Sequence, residues 1–301
     1  MKEAPAIAAS GVGHVRPGNI VLDHIALTKP RLNFLVVASS AAGYYLGAAG
    51  TLQAVAMARA VAAIAFVAAG AAVLNQVYER DTDAMMRRTR QRPLPDGRVG
   101  PTDALIFGSI LAALGVGELA VGTNPLSAAL ALTTIFVYLA VYTPMKRRTP
   151  LSTVVGAVPG ALPPLIGWTA SRGAIDAGGL SLFAIVFLWQ IPHFMAIAWM
   201  YRDDYAKAGF PMLPVIEPDG RRAGKQALWY TVALFAASLA PTATGVSGWL
   251  ALSSAAIMSA AMLVLAARFA ANRNDTNARA LFYGSITYLP LLWLAMIVDK
   301  N

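Results

Sequence analysis

Cysteine is absent from this chain, so it builds no disulfide framework, no thiolate metal site and no thiol nucleophile. Charge is scarce too: 13% of the residues are charged, with 15 acids against 24 lysines and arginines. An average soluble domain carries roughly twice that fraction, so the shortage excludes an ordinary water-facing exterior. What fills the chain instead is hydrophobic, 57% of all residues. Crossing a hydrocarbon core of roughly 30 Å takes about 20 apolar residues per helix, and runs of that length recur from end to end. A membrane is therefore the natural solvent. A sequence pI near 10 raises the question of nucleic acid, but no soluble domain exists to carry a basic binding face, so no nucleic-acid partner is expected.

The first apolar run begins near Leu32, after a polar tail with Arg16, Lys29 and Arg31, and shows no convincing cleavage site; it reads as a retained helix, not a removed signal peptide. Residues 1–28 form the expected tail and 29–301 one transmembrane domain. Apolar runs punctuated by charge, Gly or Pro lie near 32–50, 54–78, 102–121, 125–143, 151–169, 180–200, 226–245, 248–267 and 280–298, which predicts an all-α, polytopic bundle of nine transmembrane helices in the lipid bilayer. With the amino terminus inside, the tail and alternate connections collect all but Arg59, Arg172 and Lys300 of the 24 basic residues. The positive-inside rule then assigns that charged side to the cytoplasm. Gly/Ala-rich stretches such as 60–72 are read as tight helix packing.

Two or more carboxylates are interleaved with the basic residues in only two connections. The first follows the second span, N75-Q-V-Y-E79-R-D81-T-D83-A-M-M86-R-R88-T89-R-Q-R92. If the helix continues here, Asn75, Glu79 and Asp83 stand four apart on one face, about 6 Å of rise between neighbours. Three hard oxygen ligands at a membrane interface suit Mg²⁺ shared with a diphosphate, and Arg88 and Arg92 supply planar forks for phosphate oxygens. The plainer reading is a salt-bridged loop that fixes topology. Carboxylates add little to that signal, however, and an amide–acid–acid ladder at a helix mouth is costly unless something binds it.

Asn75, Glu79, Asp83, Met86, Arg88, Thr89, Arg92 and Gly97 resemble, position by position, the signature of the UbiA-type intramembrane prenyltransferases, and within them the branch that farnesylates protohaem IX. Glu79 stands where many relatives carry Asp; both ligate Mg²⁺. Y142-T-P-M-K146 resembles the family's Tyr-x-x-x-Lys element, which brings Lys146 and Arg147 to the diphosphate. In the second acidic connection, Y201-R-D203-D204-Y205-A-K-A-G209, Tyr201 and Tyr205 take the places of the aspartates usual in quinone-prenylating relatives. Asp204, or alternatively Asp203, is left to meet the metal.

The resemblance implies an enzyme with a UbiA-like fold over roughly residues 27–298 and Asn75, Glu79, Asp83, Lys146 and Asp204 as catalytic groups. Farnesyl diphosphate, Mg²⁺ and protohaem IX are the implied donor, cofactor and acceptor, with the acceptor a substrate and not a resident cofactor. Tyr78, Tyr142 and Tyr205 are expected to shield an allylic cation, and Tyr142, Tyr205 and His193 to face the haem. An ionisable group inside an apolar span is a functional candidate, although a helix-packing role for His193 is equally open. His14 and His24 receive no role, and Pro163 and Pro164 are expected to kink the fifth span. The implied location is a bacterial inner membrane, with a haem-pathway membrane protein or a second copy as partner. The competing readings are a relative acting on a quinone precursor or chlorophyllide, and a transporter or haem-carrying protein, whose polar sites belong nearer the midplane.

Overall fold

The computed structural model describes residues 19–301, so Lys2, His14 and Arg16 lie outside the described residues. Among the described residues the chain is helical, with no strand and one isolated bridge between Ser247 and Lys300. Asn19 starts α1 (Ile20–Leu27) by accepting from the amides of Val21 and Leu22. Lys29 follows in the left-handed region at φ 49°, the only described non-glycine there, and swings the chain into α2 (Pro30–Gly47). Pro30 stands at the start of α2, where a missing N–H leaves nothing unpaired.

An Ala-rich, proline-free stretch then sustains α3 (Ala54–Met85) for 32 residues. At 1.5 Å per residue that is about 48 Å, well beyond a hydrocarbon core, so its last turns rise past the apolar zone. A turn-rich segment with Pro93, Pro95 and Gly97 leads into α4 (Pro101–Gly122). Next, α5 (Pro125–Phe136) passes through one π-helical stretch, Val137–Tyr142, into the single turn α6 (Thr143–Met145). The remaining long helices are α7 (Ser152–Arg172), α8 (Ala177–Met200), α11 (Arg221–Ala243), α12 (Trp249–Ala271) and α13 (Asp275–Val298), with the short α9 (Arg202–Lys207) and α10 (Leu213–Ile216) between α8 and α11.

Counting α5 to α6 as one rod, the long helices match the nine expected apolar runs. Seven of them are long and apolar enough to cross a membrane. α2 and α11 are not among the seven: Arg31 and Asn33 in one, and Arg221, Arg222 and Lys225 in the other, thin the apolar stretch.

Two apolar cores organise the bundle. One joins α3, α4, α5 and α7 through Ile64, Val67, Leu119 and Ile166; the other joins α2, α7, α8, α11, α12 and α13. α7 belongs to both cores and, with α8, is the most enclosed helix. Pro159, Pro163 and Pro164 sit inside α7 without interrupting it, as buried membrane helices allow when neighbours support the freed backbone. α2 packs directly against it: Gly43 abuts the Pro164 carbonyl and, reciprocally, Gly167 abuts the Ser40 carbonyl, and a Cβ at either glycine would collide with backbone. Inside the second lobe the Tyr288 hydroxyl joins Ser238 and Ser259 at 2.6 and 2.9 Å, each bond contributing about 0.6 kcal/mol in a bilayer. The outer faces carry the large exposed hydrophobics, such as Ile110, Val121, Ile257 and Leu294, as lipid-facing helices do.

Candidate active site

The last turns of α3 carry the ladder on one face, and all three rungs are buried: Asn75, Glu79 and Asp83. The helix does continue through this stretch, so the four-residue spacing becomes a real alignment. Each rung meets a cation. Lys29 Nζ donates to Asn75 Oδ1 at 3.5 Å, and Asn75 Nδ2 donates to Thr143 Oγ1 at 3.1 Å. Lys146 Nζ lies 2.9 Å from Glu79 Oε1 and donates to Oε2 at 3.1 Å, which leaves Oε1 buried without a hydrogen bond. Arg92 Nη1 donates to Asp83 Oδ2 at 2.6 Å.

The turn after α3 folds Arg88 and Arg92 back over the ladder. Thr89 pins it by donating from Oγ1 to the Asp83 carbonyl at 2.7 Å, and the Arg92 amide donates to the Thr89 carbonyl at 2.9 Å. Arg98 ties the same segment to α1 through Asp23 and donates to the Gln91 carbonyl. Arg88 stacks over Tyr201 and Tyr205, 5.2 and 5.0 Å from the ring centres, and donates to the Tyr205 hydroxyl at 2.8 Å. Across the site, the π stretch aligns Tyr138 and Tyr142, stacked at 5.6 Å, and Lys146 Nζ lies 4.6 Å over the Tyr142 ring. The ladder, Lys29, Arg88, Arg92, Tyr138, Tyr142, Lys146 and Tyr205 wall one cavity of about 290 Å³, with His193, Phe194 and Ile197 of α8 at its apolar side.

Electrostatics divide the two lysines. Burial, then the charges of Arg92 and Lys146, push Lys29 down to about 7. Burial opposes the charge on Lys146 too, but the Tyr142 ring and the Glu79 carboxylate outweigh it and hold Lys146 above its ordinary range.

Asn75, Glu79, Asp83, Arg88, Arg92, Tyr142, Lys146, His193 and Tyr205 thus share one cavity. Arg147, Asp203 and Asp204 stand outside it: Arg147 and Asp203 are exposed and Asp204 is half-buried. α9 explains the aspartates, since Tyr205 faces the cavity and Asp203, two residues earlier, lies about 200° around the helix. Among the described residues no three His, Asp or Glu side chains come together as a metal cluster. Within the cavity wall, the side-chain oxygens in register on one helix face are those of Asn75, Glu79 and Asp83. Tyr78 is 60% exposed and absent from the wall. Sequence reasoning missed Lys29, counted there only as a topological charge, and Tyr138, whose place depends on the π stretch.

The UbiA prenyltransferase family profile matches residues 36–293. The protoheme IX farnesyltransferase of Solibacter usitatus (strain Ellin6076) is 43% identical over 287 residues, 92% of this chain and 98% of the relative. That of Koribacter versatilis (strain Ellin345) is 40% identical over 298 residues, 95% and 96% of the two chains. A solved structure concerning digeranylgeranylglyceryl phosphate synthase shares the fold at TM-score 0.79 and 18% identity, covering 93% of this chain and 98% of its own. A UbiA homolog from Archaeoglobus fulgidus bound to GPP and Mg²⁺ follows at TM-score 0.67 and 17% identity, covering 92% and 99%. Family profile, near full-length relatives and shared helical fold converge: the chain belongs to the UbiA prenyltransferase family.

Proposed function

We propose that this protein transfers the farnesyl group of farnesyl diphosphate to a vinyl group of protohaem IX, giving haem O and diphosphate, at the cytoplasmic face of a bacterial inner membrane that it crosses nine times. One observation carries the reading: an amide and two carboxylates in register on one helix face, each met by a cation, in a cavity whose other walls are aromatic and apolar. The names and 40 to 43% identity of the near full-length relatives support this donor and acceptor. Mg²⁺ fits the ladder, because Glu79 Oε1 is a buried carboxylate oxygen without a hydrogen bond and hard oxygens shared with substrate phosphates are what Mg²⁺ takes. When bound by Asn75, Glu79 and Asp83, it would supply positive charge to the leaving group.

The chain's own residues do the rest. Arg88, Arg92, Lys146 and Lys29 hold phosphate oxygens, the arginines as planar forks. The allylic C–O bond breaks with its electron pair passing to the diphosphate, and these cations stabilise the charge that gathers there. Tyr138 and Tyr142 offer ring faces to the allylic cation. The vinyl electrons close the new C–C bond; water adds to the benzylic-type cation this leaves and releases a proton, so the product is a hydroxyethylfarnesyl haem.

Purified protein incubated with haem, farnesyl diphosphate and Mg²⁺ should yield a product heavier than haem by one farnesyl group and one hydroxyl, measured by mass spectrometry. Glu79→Gln and Asp83→Asn should each cut turnover at least tenfold, about 1.4 kcal/mol, with the protein still folded. A wild type that ignores haem but prenylates a phenolic acid would move the acceptor to another class. Activity above a tenth in both variants would return the ladder to a topology role.

A further inference from the structure

His193 is clamped on both faces of its ring. Trp189 stacks at 5.0 Å and 17°, and Phe282 at 5.1 Å and 22°. Its Nδ1 lies 2.8 Å from Ser285 Oγ on α13. A second contact of Ser285 decides which atom donates. A serine hydroxyl has one hydrogen; with that hydrogen on the Phe282 carbonyl, 2.6 Å away, Ser285 Oγ accepts and Nδ1 carries the ring proton, the arrangement that pairs every group in the network. Trp189 Nε1 donates to the Ser285 carbonyl at 2.7 Å and locks α8 to α13 at this level. The network therefore assigns the tautomer: Nε2 is the unprotonated nitrogen. It makes no hydrogen bond among the described residues, and His193, half-buried, lines the cavity that also holds the acid ladder.

An imidazole with one nitrogen tied back by a hydrogen bond and the other free in an apolar pocket is how proteins present histidine to a metal, and such a histidine is a common axial ligand of haem iron. We propose that His193 Nε2 ligates the iron of the porphyrin acceptor and so seats the macrocycle in the cavity. Ser285 is the positioning residue that fixes the tautomer. The inference rests on the acceptor reading above and adds the atom that recognises it.

Haem titrated into the purified full-length protein should give a shifted Soret band of a histidine-ligated iron. His193→Ala should lose that shift and bind haem at least tenfold more weakly, with farnesyl diphosphate affinity unchanged. In His193→Gly, added imidazole should restore the spectrum, which a merely structural histidine would not allow. Ser285→Ala should weaken haem binding several-fold and broaden the Soret band by freeing the ring to change tautomer, and Ser285→Thr should restore both. A wild type that takes up no haem overturns the acceptor reading and this inference with it. A wild type that binds haem with the same spectrum as His193→Ala overturns the ligation alone.

Discussion

The amine of Lys29 sits at the end of the ladder, facing an amide and two fixed cations, and burial with those cations brings it to about 7. An anion arriving there would favour its charged form. Lys29→Met is therefore expected to weaken binding of inorganic diphosphate with Mg²⁺ roughly tenfold, in line with about 1.5 kcal/mol for a charge-assisted hydrogen bond. Isothermal titration checks this; wild-type affinity in the variant would leave Lys29 a structural turn residue. Two kinds of signal explain which residues were legible at this scale. Asn75, Glu79 and Asp83 announce themselves because their spacing matches the helical repeat. Lys29 does not, because in sequence it is one more basic residue beside a span, and only its left-handed turn aims it at Asn75. Asp203 and Asp204 lie outside the cavity wall, where Tyr205 of α9 packs under Arg88, so the sequence shows their acids but not which way α9 turns them.

At the scale of the element, the π stretch Val137–Tyr142 has the most leverage on the site. Such a stretch adds a residue to the helix, and an α-helix turns 100° per residue, so everything after it is rotated relative to a regular continuation. Tyr142 and Lys146 follow from that rotation, and Thr143 is fixed in it by donating to the Tyr138 carbonyl at 2.8 Å. Deleting the exposed Ala140 should return the segment to α geometry and swing Lys146 away from Glu79. The expected outcome is protein that inserts and stays helical by circular dichroism but turns over at less than a tenth of the normal rate, with activity regained when an alanine is inserted elsewhere in 137–141. Unchanged turnover in the deletion would show that the register does not matter. The sequence carries no sign of this stretch, because its residues are ordinary helix and membrane formers. The long α3, by contrast, follows directly from its Ala-rich composition and lack of proline.

For the molecule as a whole, the two ends differ in chemistry. The site end collects Lys29, Arg88, Arg92 and Lys146, while the opposite cavity, bounded by Arg172, Asp176 and Lys300, is built around Lys300 donating to the carbonyls of Tyr45 and Ala48 at the end of α2. Reporter fusions at Gly97 and Arg222 should therefore read cytoplasm, and fusions at Gly122 and Thr244 the other side; one reversed fusion would remove the nine-crossing topology. That alternation is legible in the sequence because lysine and arginine mark it residue by residue. Which helices meet is not: the α2–α7 crossing depends on Gly43 and Gly167, and glycines stand in seven of the nine long helices among the described residues.

The pairing of each rung with a lysine or arginine also governs how ligands come and go. Glu79 and Asp83 already hold Lys146 and Arg92, so a dication entering alone would displace cations that have no other anion to meet. A diphosphate entering alone would draw those cations off carboxylates that have no other partner. Entering together at the proposed site, the two ligands would exchange partners with it: the metal would take the carboxylates and the diphosphate the freed cations. Metal and diphosphate would then be reciprocal effectors, each raising the other's affinity by the same factor, and departure of the ion would loosen the spent diphosphate by that factor.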